Sequence, residues 1–293
     1  RRLWRSSGTA PCGAERGFSS AGAGMTRAQT PEPERHGFAR HRAARHTPVW
    51  HVWVCAAGVS TAAGQGASGP HSDRDDRRAA LLSRLEATLG GRREPVRSTG
   101  VGRTPVLEAP GLGIVQRCPT CGRDGHGAPR LTAPGVRAQT LPPISFAHVG
   151  GSRPGTVLAW LDVHAEDWAV GVDVEDVRAR RVRRAFTPGP DGAADIDAVA
   201  FSAAERAGLE RGAAAGQDPV TARARLWCAK EALVKAAGTG FLADPSAVDA
   251  AASDVRLVAL GPDVLPDGWV GALALRPLTP PGRSRRPRFR RPR

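Results

Sequence analysis

Lysine is almost absent from this 293-residue chain: arginine supplies nearly all of the positive charge, and only Lys230 and Lys235 stand against it. The two are five residues apart. Where guanidinium has replaced ammonium elsewhere, two survivors on neighbouring turns mark a place that needs a compact, mobile ammonium. Long apolar runs are missing too. No stretch of about 18 apolar residues occurs, which argues against a membrane-spanning helix. Methionine occurs once, at Met25. The opening Arg1-Arg2-Leu3-Trp4-Arg5 is basic but leads into no apolar segment, so no secretory signal is expected and the cytoplasm is the expected compartment. Five scattered cysteines are too few for a disulfide scaffold. Cys55 and Cys228 sit in apolar runs and read as small core residues.

What remains is enough for a folded core. Hydrophobic residues make up 41% of the chain, which suits one large domain or two small ones. The formal net charge of +14 favours a polyanionic partner: nucleic acid, a phosphorylated cofactor or an acidic protein. No zinc finger, recognition helix pair or RNA-stacking aromatic motif supports a nucleic-acid-binding protein, the reading of another class. Residues 1–46 and 277–293 are rich in Arg, Ala, Gly, Ser and Pro without any period. They are expected to be a disordered extension and a basic disordered tail.

Between them the pattern is mixed. Val49–Cys55 reads as a strand. Leu81, Leu82, Leu85 and Leu89 recur at helical spacing over Arg77–Leu89, and Gly90-Gly91 stops that helix. Ser60–Pro70 reads as a loop, residues 92–117 as a stretch broken by Pro and Gly, and Cys118–Pro129 as another loop. Val157–Val163 and Trp168–Val174 flank a short turn and predict a hairpin. Ser202 with Glu205 predicts a capped helix start, and Asp218-Pro219 predicts another, running through Arg225–Ala237 to Gly238. Val255–Leu260 and Trp269–Leu275 read as closing strands. Strand material followed by one glycine-ended helix thus occurs twice, a faint internal echo.

Two clusters carry chemistry. Asp173 and Glu175 alternate on an apolar strand, so both carboxylates share one face. Two acids at the end of a buried strand repel unless a cation lies between them, and Mg²⁺ takes such oxygen ligands together with phosphate. Gly171 beside them allows close approach of another backbone or a ligand. On the later helix, Trp227, Glu231 and Lys235 follow at i, i+4 spacing and line one face, with Lys230 beside it. The bland alternatives are surface acids at a strand end and an exposed Glu–Lys pair.

Together, Gly171-Val172-Asp173-Val174-Glu175 and Trp227-Cys228-Ala229-Lys230-Glu231-Ala232-Leu233-Val234-Lys235 resemble the two signature motifs of the 4′-phosphopantetheinyl transferases, in the spacing of the larger single-chain type. Ser145-Phe146-Ala147-His148 resembles the family's Ser-x-Ser-His turn, with Ala147 in place of the second serine. Phe201–Glu205 resembles its Phe-Ser-x-x-Glu helix start, and Gly238-Thr239-Gly240-Phe241 its glycine turn. Gly127-Ala128-Pro129 resembles its Gly-Lys-Pro loop, with Ala128 where a basic residue is usual. The resemblance implies an α+β pseudo-dimer of two similar halves, 47–167 and 168–276, each a small antiparallel sheet on a long helix, in a monomer. It implies transfer of phosphopantetheine from coenzyme A to a serine of an acidic acyl- or peptidyl-carrier protein. Asp173, Glu175 and Glu231 are then expected to hold Mg²⁺, with Glu231 also the base. Lys235 is expected to stabilise the departing phosphate and Lys230 to help bind it. His148 is expected on a coenzyme A phosphate and Arg78 on the 3′-phosphate. The two alanines leave open a catalytically impaired homologue that only binds coenzyme A or carrier protein. Cys118-Pro119-Thr120-Cys121-Gly122 with His126 resembles half a zinc site, but no second pair completes four ligands. It reads as an ordered loop leading to the coenzyme pocket.

Overall fold

A computed structural model of the chain describes residues 16–19, 48–56, 72–90, 111–118, 121–151, 153–240, 244–250 and 255–278. The fold is α+β, built of small antiparallel sheets and several helices. The first sheet has the order β1-β2-β6-β5, from β1 (Arg16–Ser19), β2 (Trp50–Ala56), β5 (Ile144–Val149) and β6 (Gly155–Leu161). The second has the order β7-β9-β8, from β7 (Trp168–Asp176), β8 (Arg256–Leu260) and β9 (Trp269–Pro277). A two-stranded hairpin pairs β3 (Gly113–Arg117) with β4 (Asp124–Thr132).

A helix covers each larger sheet. α1 (Ser72–Gly90) presents the predicted leucine stripe: Leu81, Leu85 and Leu89 are buried against Trp53, Leu158 and Trp160 of the first sheet. Five further residues of helix precede the predicted start at Arg77. α2 (Arg180–Phe186), α3 (Asp197–Ala200) and α4 (Ala203–Ala214) follow β7, and α5 (Pro219–Ala237) covers the second sheet. Ser202 accepts from the Glu205 amide while Glu205 reaches back to the Ser202 amide, so α4 opens on the predicted capping box. Asp218 caps α5 ahead of Pro219, and Gly238 closes it in the left-handed conformation at φ 72°.

The two sheets share one apolar core. Val52, Val54, Val157 and Ala159 from the first meet Val170, Val172, Val174 and Leu273 from the second. Where β5 and β7 run side by side, Ser145 Oγ accepts from the Val172 amide at 3.0 Å. Behind β7, Gly171 is indispensable: a Cβ there would stand 1.9 Å from the Ala232 carbonyl oxygen of α5. The close approach expected at this glycine is that of a helix backbone.

Four expectations are corrected. β6 and β7 form no hairpin. β2 and β5 already occupy both edges of β6, so β7 has no edge to pair with and joins β9 instead. The connecting turn is tied elsewhere, Ala165 N donating to Leu141 O at 3.0 Å. The loops read at residues 92–117 and 118–129 contain β3 and β4. Gly125, Gly127 and Pro129 hide the second strand from any propensity argument, and it exists because β3 pairs with it and Leu131 is buried at its end. β1 lies inside the segment 1–46 expected to lack structure, where the open edge of β2 accepts it. Cys55 is buried as expected but also disulfide-bonded. The rest of residues 1–46, the tail 279–293 and the loop Ser60–Pro70 lie outside the described residues, as do Phe241 and the His126 side chain.

Candidate active site

A cavity of about 630 Å³ opens where β5 and β7 meet, bounded by α1, the β3–β4 hairpin and α5. One wall comes from the second half of the chain. α5 turns Trp227, Glu231, Val234 and Lys235 into it, and the strand face opposite carries Asp173 and Glu175. The i, i+4 stripe therefore faces the cavity, while Cys228, Ala232 and Ala236 on the other side of the helix pack on Ala272 and Ala274 of β9.

The acids on this wall are strained by one another. Burial, followed by the charges of neighbours including Asp173, pushes Glu175 up to about 7 against the pull of Arg181. Burial and then Asp173 push Glu231 up to about 7. Two cations offset part of this repulsion. Lys235 Nζ donates to Asp173 Oδ1 at 2.7 Å and to the Val172 carbonyl at 3.0 Å. Arg181 donates to Glu175 Oε2 at 2.6 Å. Among the described residues no three His, Cys, Asp or Glu side chains are drawn together tightly enough to ligate one metal ion. Asp173, Glu175 and Glu231 thus share a cavity and a field without forming a closed ligand set.

The opposite wall is cationic. Arg74 and Arg78 of α1 line it together with Gln116, Phe146 and His148. The Arg78 guanidinium lies over the Phe146 ring at 5.0 Å and donates to Gln116 Oε1 at 3.4 Å. Burial, then Arg74, lowers its affinity for a proton. His148 is pushed down to about 3, first by burial and then by Arg74, Lys235, Arg78 and Arg77. Its ring is therefore neutral at physiological pH, with Nδ1 3.1 Å from Thr156 Oγ1. Gly127, Ala128 and Pro129 line the same side, and so do Gly238, Thr239 and Gly240.

Asp173, Glu175, Glu231, Lys235, His148 and Arg78 are thus brought into one cavity. Lys230 is not. It is fully buried away from the cavity, where its Nζ sits 2.5 Å from Glu205 Oε2 and 5.9 Å from the centre of the Phe201 ring. One position along a helix turns the side chain by about 100°, which carries Lys230 off the face that holds Glu231. The expectation that Lys230 grips a phosphate is corrected: it ties the start of α4 to α5. Sequence reasoning also passed over Arg74, Gln116 and Arg181. Arg74 was findable, four residues before Arg78 on the same helix. Gln116 lay in a stretch without a readable period, and nothing local couples Arg181 to Glu175.

Residues 169–262 match the family model described as the 4′-phosphopantetheinyl transferase superfamily. The matched segment contains the whole acidic wall, from Asp173 to Lys235, while the cationic wall of Arg74, Arg78, Gln116 and His148 lies before it. No curated protein matches the chain. Among the described residues no helix is long and apolar enough to cross a membrane.

Proposed function

We propose that this protein transfers the 4′-phosphopantetheine arm of coenzyme A to a serine of an acidic acyl- or peptidyl-carrier protein, releasing adenosine 3′,5′-bisphosphate. The observation that carries the reading is one cavity with cations on one wall and carboxylates on the other, the acidic wall lying inside the superfamily segment. Coenzyme A has the complementary chemistry: three phosphate groups, two of them joined in a pyrophosphate that needs both cations and a base nearby to break.

Each wall has its task. Arg74 and Arg78 attract the phosphates of the nucleotide, Arg78 being oriented by Phe146 and Gln116. Neutral His148 adds a hydrogen bond to a phosphate without a charge of its own. Lys235, anchored by the Val172 carbonyl, offsets charge on the pyrophosphate as the bond to the bisphosphate breaks. Glu231, on the helix face it shares with Lys235, takes the proton of the attacking serine hydroxyl. The serine oxygen forms a bond to the β-phosphorus and the P–O bond to the bisphosphate opens.

The donor set of Asp173, Glu175 and Glu231 fits a hard divalent cation such as Mg²⁺. It is made of oxygens only, and burial with mutual repulsion raises two of the three acids. Asp173, Glu175 and Glu231 would hold the ion, which when bound would supply neutralisation of phosphoryl charge. The halves 47–167 and 168–276 form a pseudo-dimer in this reading. The support is that α1 and α5 both have 19 residues, each lies on an antiparallel sheet, and the sheets share a core. The protein acts as a monomer in the cytoplasm, with no nucleic-acid partner.

The test is incubation with coenzyme A, Mg²⁺ and an apo carrier protein, followed by intact mass. The expected result is a gain of one phosphopantetheine on the carrier protein. An unmodified carrier under conditions where a known transferase modifies it would overturn the reading.

A further inference from the structure

One buried hydroxyl has no task in the mechanism above. β6 is buried along its whole length, and Thr156, fully inaccessible to solvent, carries its one hydroxyl. A hydroxyl in such surroundings is costly unless it is hydrogen-bonded. The register of the first sheet sets His148 of β5 directly opposite Thr156, and residues directly opposite share a face. His148 Nδ1 accordingly lies 3.1 Å from Thr156 Oγ1, and no other polar atom among the described residues meets that hydroxyl. The second ring nitrogen, Nε2, has no partner among the described residues and opens on the cavity.

Two arrangements of protons fit this contact. In one, the Thr156 hydroxyl donates to a bare Nδ1 and the ring proton sits on Nε2. In the other, Nδ1–H donates to Thr156 Oγ1 and Nε2 turns a lone pair toward the cavity. The second leaves the Thr156 hydrogen buried without an acceptor, a penalty that the first avoids. Doubly protonating the ring is no third choice, because burial and the arginines around it keep it neutral.

We infer that Thr156 is a positioning residue for His148, committing its neutral ring to the tautomer with the proton on Nε2. In a neutral histidine the hydrogen bond at one nitrogen sets the role of the other. Here it makes the cavity-facing nitrogen a donor, the role that a phosphate oxygen requires. A bare nitrogen in the same place would set one lone pair against another. Phe146 cannot make this choice. Its ring lies parallel to the imidazole, 1° between planes and 6.3 Å between centres, and does not tell one edge of the imidazole from the other. That the acceptor is a phosphate of coenzyme A rests on the function proposed above; the tautomer does not.

The test begins with long-range proton–nitrogen correlation spectra of the isotope-labelled full chain at neutral pH. His148 is identified by the signals lost in His148→Gln. The expected pattern is a single tautomer, protonated at Nε2 and bare at Nδ1. Thr156→Val keeps the shape of the side chain but removes the hydroxyl, and its spectrum should show both tautomers. In parallel, coenzyme A is titrated calorimetrically. Binding should be several-fold weaker in Thr156→Val and near wild type in Thr156→Ser, which restores the donor. In a His148→Gln background the side-chain amide can donate without any tautomer to fix, so adding Thr156→Val should cost little. A wild-type His148 protonated at Nδ1, or an even mixture, would overturn the tautomer whatever the variants do. Equal affinity in wild type and Thr156→Val, or equal loss in the valine and serine variants, would overturn the positioning role. If the wild-type chain binds no coenzyme A, the coenzyme reading fails, while the spectra still decide what Thr156 does to His148.

Discussion

The two walls of the cleft respond to burial in opposite directions. On the wall from the first half, burial and the arginines push His148 down to about 3. On the wall from the second half, burial and neighbouring acids push Glu175 and Glu231 up to about 7. The first wall is cationic, and the second is mainly carboxylate with Lys235 and Arg181 offsetting part of the charge, so each calls for a ligand of the other sign. An anion alone would satisfy the arginines but repel the carboxylates. A cation alone would do the reverse. A phosphate accompanied by a divalent cation would satisfy both, and under the proposed function coenzyme binding would fall to the first wall and bond cleavage to the second.

The largest test of that division strikes the acidic wall. Removal of divalent ions with a chelator should abolish transfer, and Mg²⁺ or Mn²⁺ should restore it. Glu231→Gln should lower kcat by about 10²–10⁴-fold, the usual contribution of a general base. Full activity in excess chelator would overturn Asp173, Glu175 and Glu231 as metal ligands.

The second test compares the walls directly. Lys235→Arg keeps the charge but replaces a point donor with a larger planar fork, and most of kcat should be lost. Arg78→Ala should instead raise KM for coenzyme A several-fold with a smaller change in kcat. Steady-state kinetics with coenzyme A varied would read both. Equal effects on the same parameter would mean that the walls do one job, not two.

A third comparison separates the two lysines. Lys230→Met leaves Glu205 partly buried without its cation, and breaking such a pair typically costs about 3–5 kcal/mol. A clear fall in Tm is expected, with a partial return in the double variant Lys230→Met/Glu205→Gln. Lys235→Met also leaves Asp173 without its cation, but it removes a lysine that is 30% exposed in the cleft rather than fully buried, so a smaller fall in Tm is expected. Similar melting for both variants would contradict the division between a structural and a catalytic lysine.

The smallest expected effect is on pH. Glu175 and Glu231 have folded-state affinities for protons above those of the unfolded chain, near 7 against an ordinary 4.5. Between those values the folded chain binds more protons than the unfolded one. Their contribution is therefore complete below about pH 4.5 and is lost as pH rises through about 7. Without divalent ions Tm should fall over that window. Glu231→Gln should flatten the fall, and Mg²⁺ should raise Tm more at pH 8 than at pH 6. A Tm that rises across the window would put the two acids in a different environment.

What could be read in advance was whatever neighbouring residues fix among themselves. Ser202 with Glu205, and Asp218 with Pro219, announced their helices because capping is settled within four residues. Asp173 and Glu175 shared a face because strands alternate, and Trp227, Glu231 and Lys235 shared one because helices repeat near four. The acidic wall was therefore legible. The cationic wall was only half so. Arg78 and His148 came from the resemblance, Arg74 was overlooked, and Gln116 sits on a strand that glycine and proline disguise.

The sequence by itself determined which groups could share one wall: three acids, a lysine, and the helix and strand that carry them. Tertiary structure decided which partners they meet. It sent β7 to β9 because β6 had no edge left, and it set two walls of opposite charge across one cavity. It also gave two lysines on one helix different fates. Helix periodicity separates Lys230 from the face of Trp227, Glu231 and Lys235, but nothing local says what either face will meet. The difference is that one side of α5 meets α4 and Glu205, while the other faces the cavity, and only packing over long sequence separation determines which side is which.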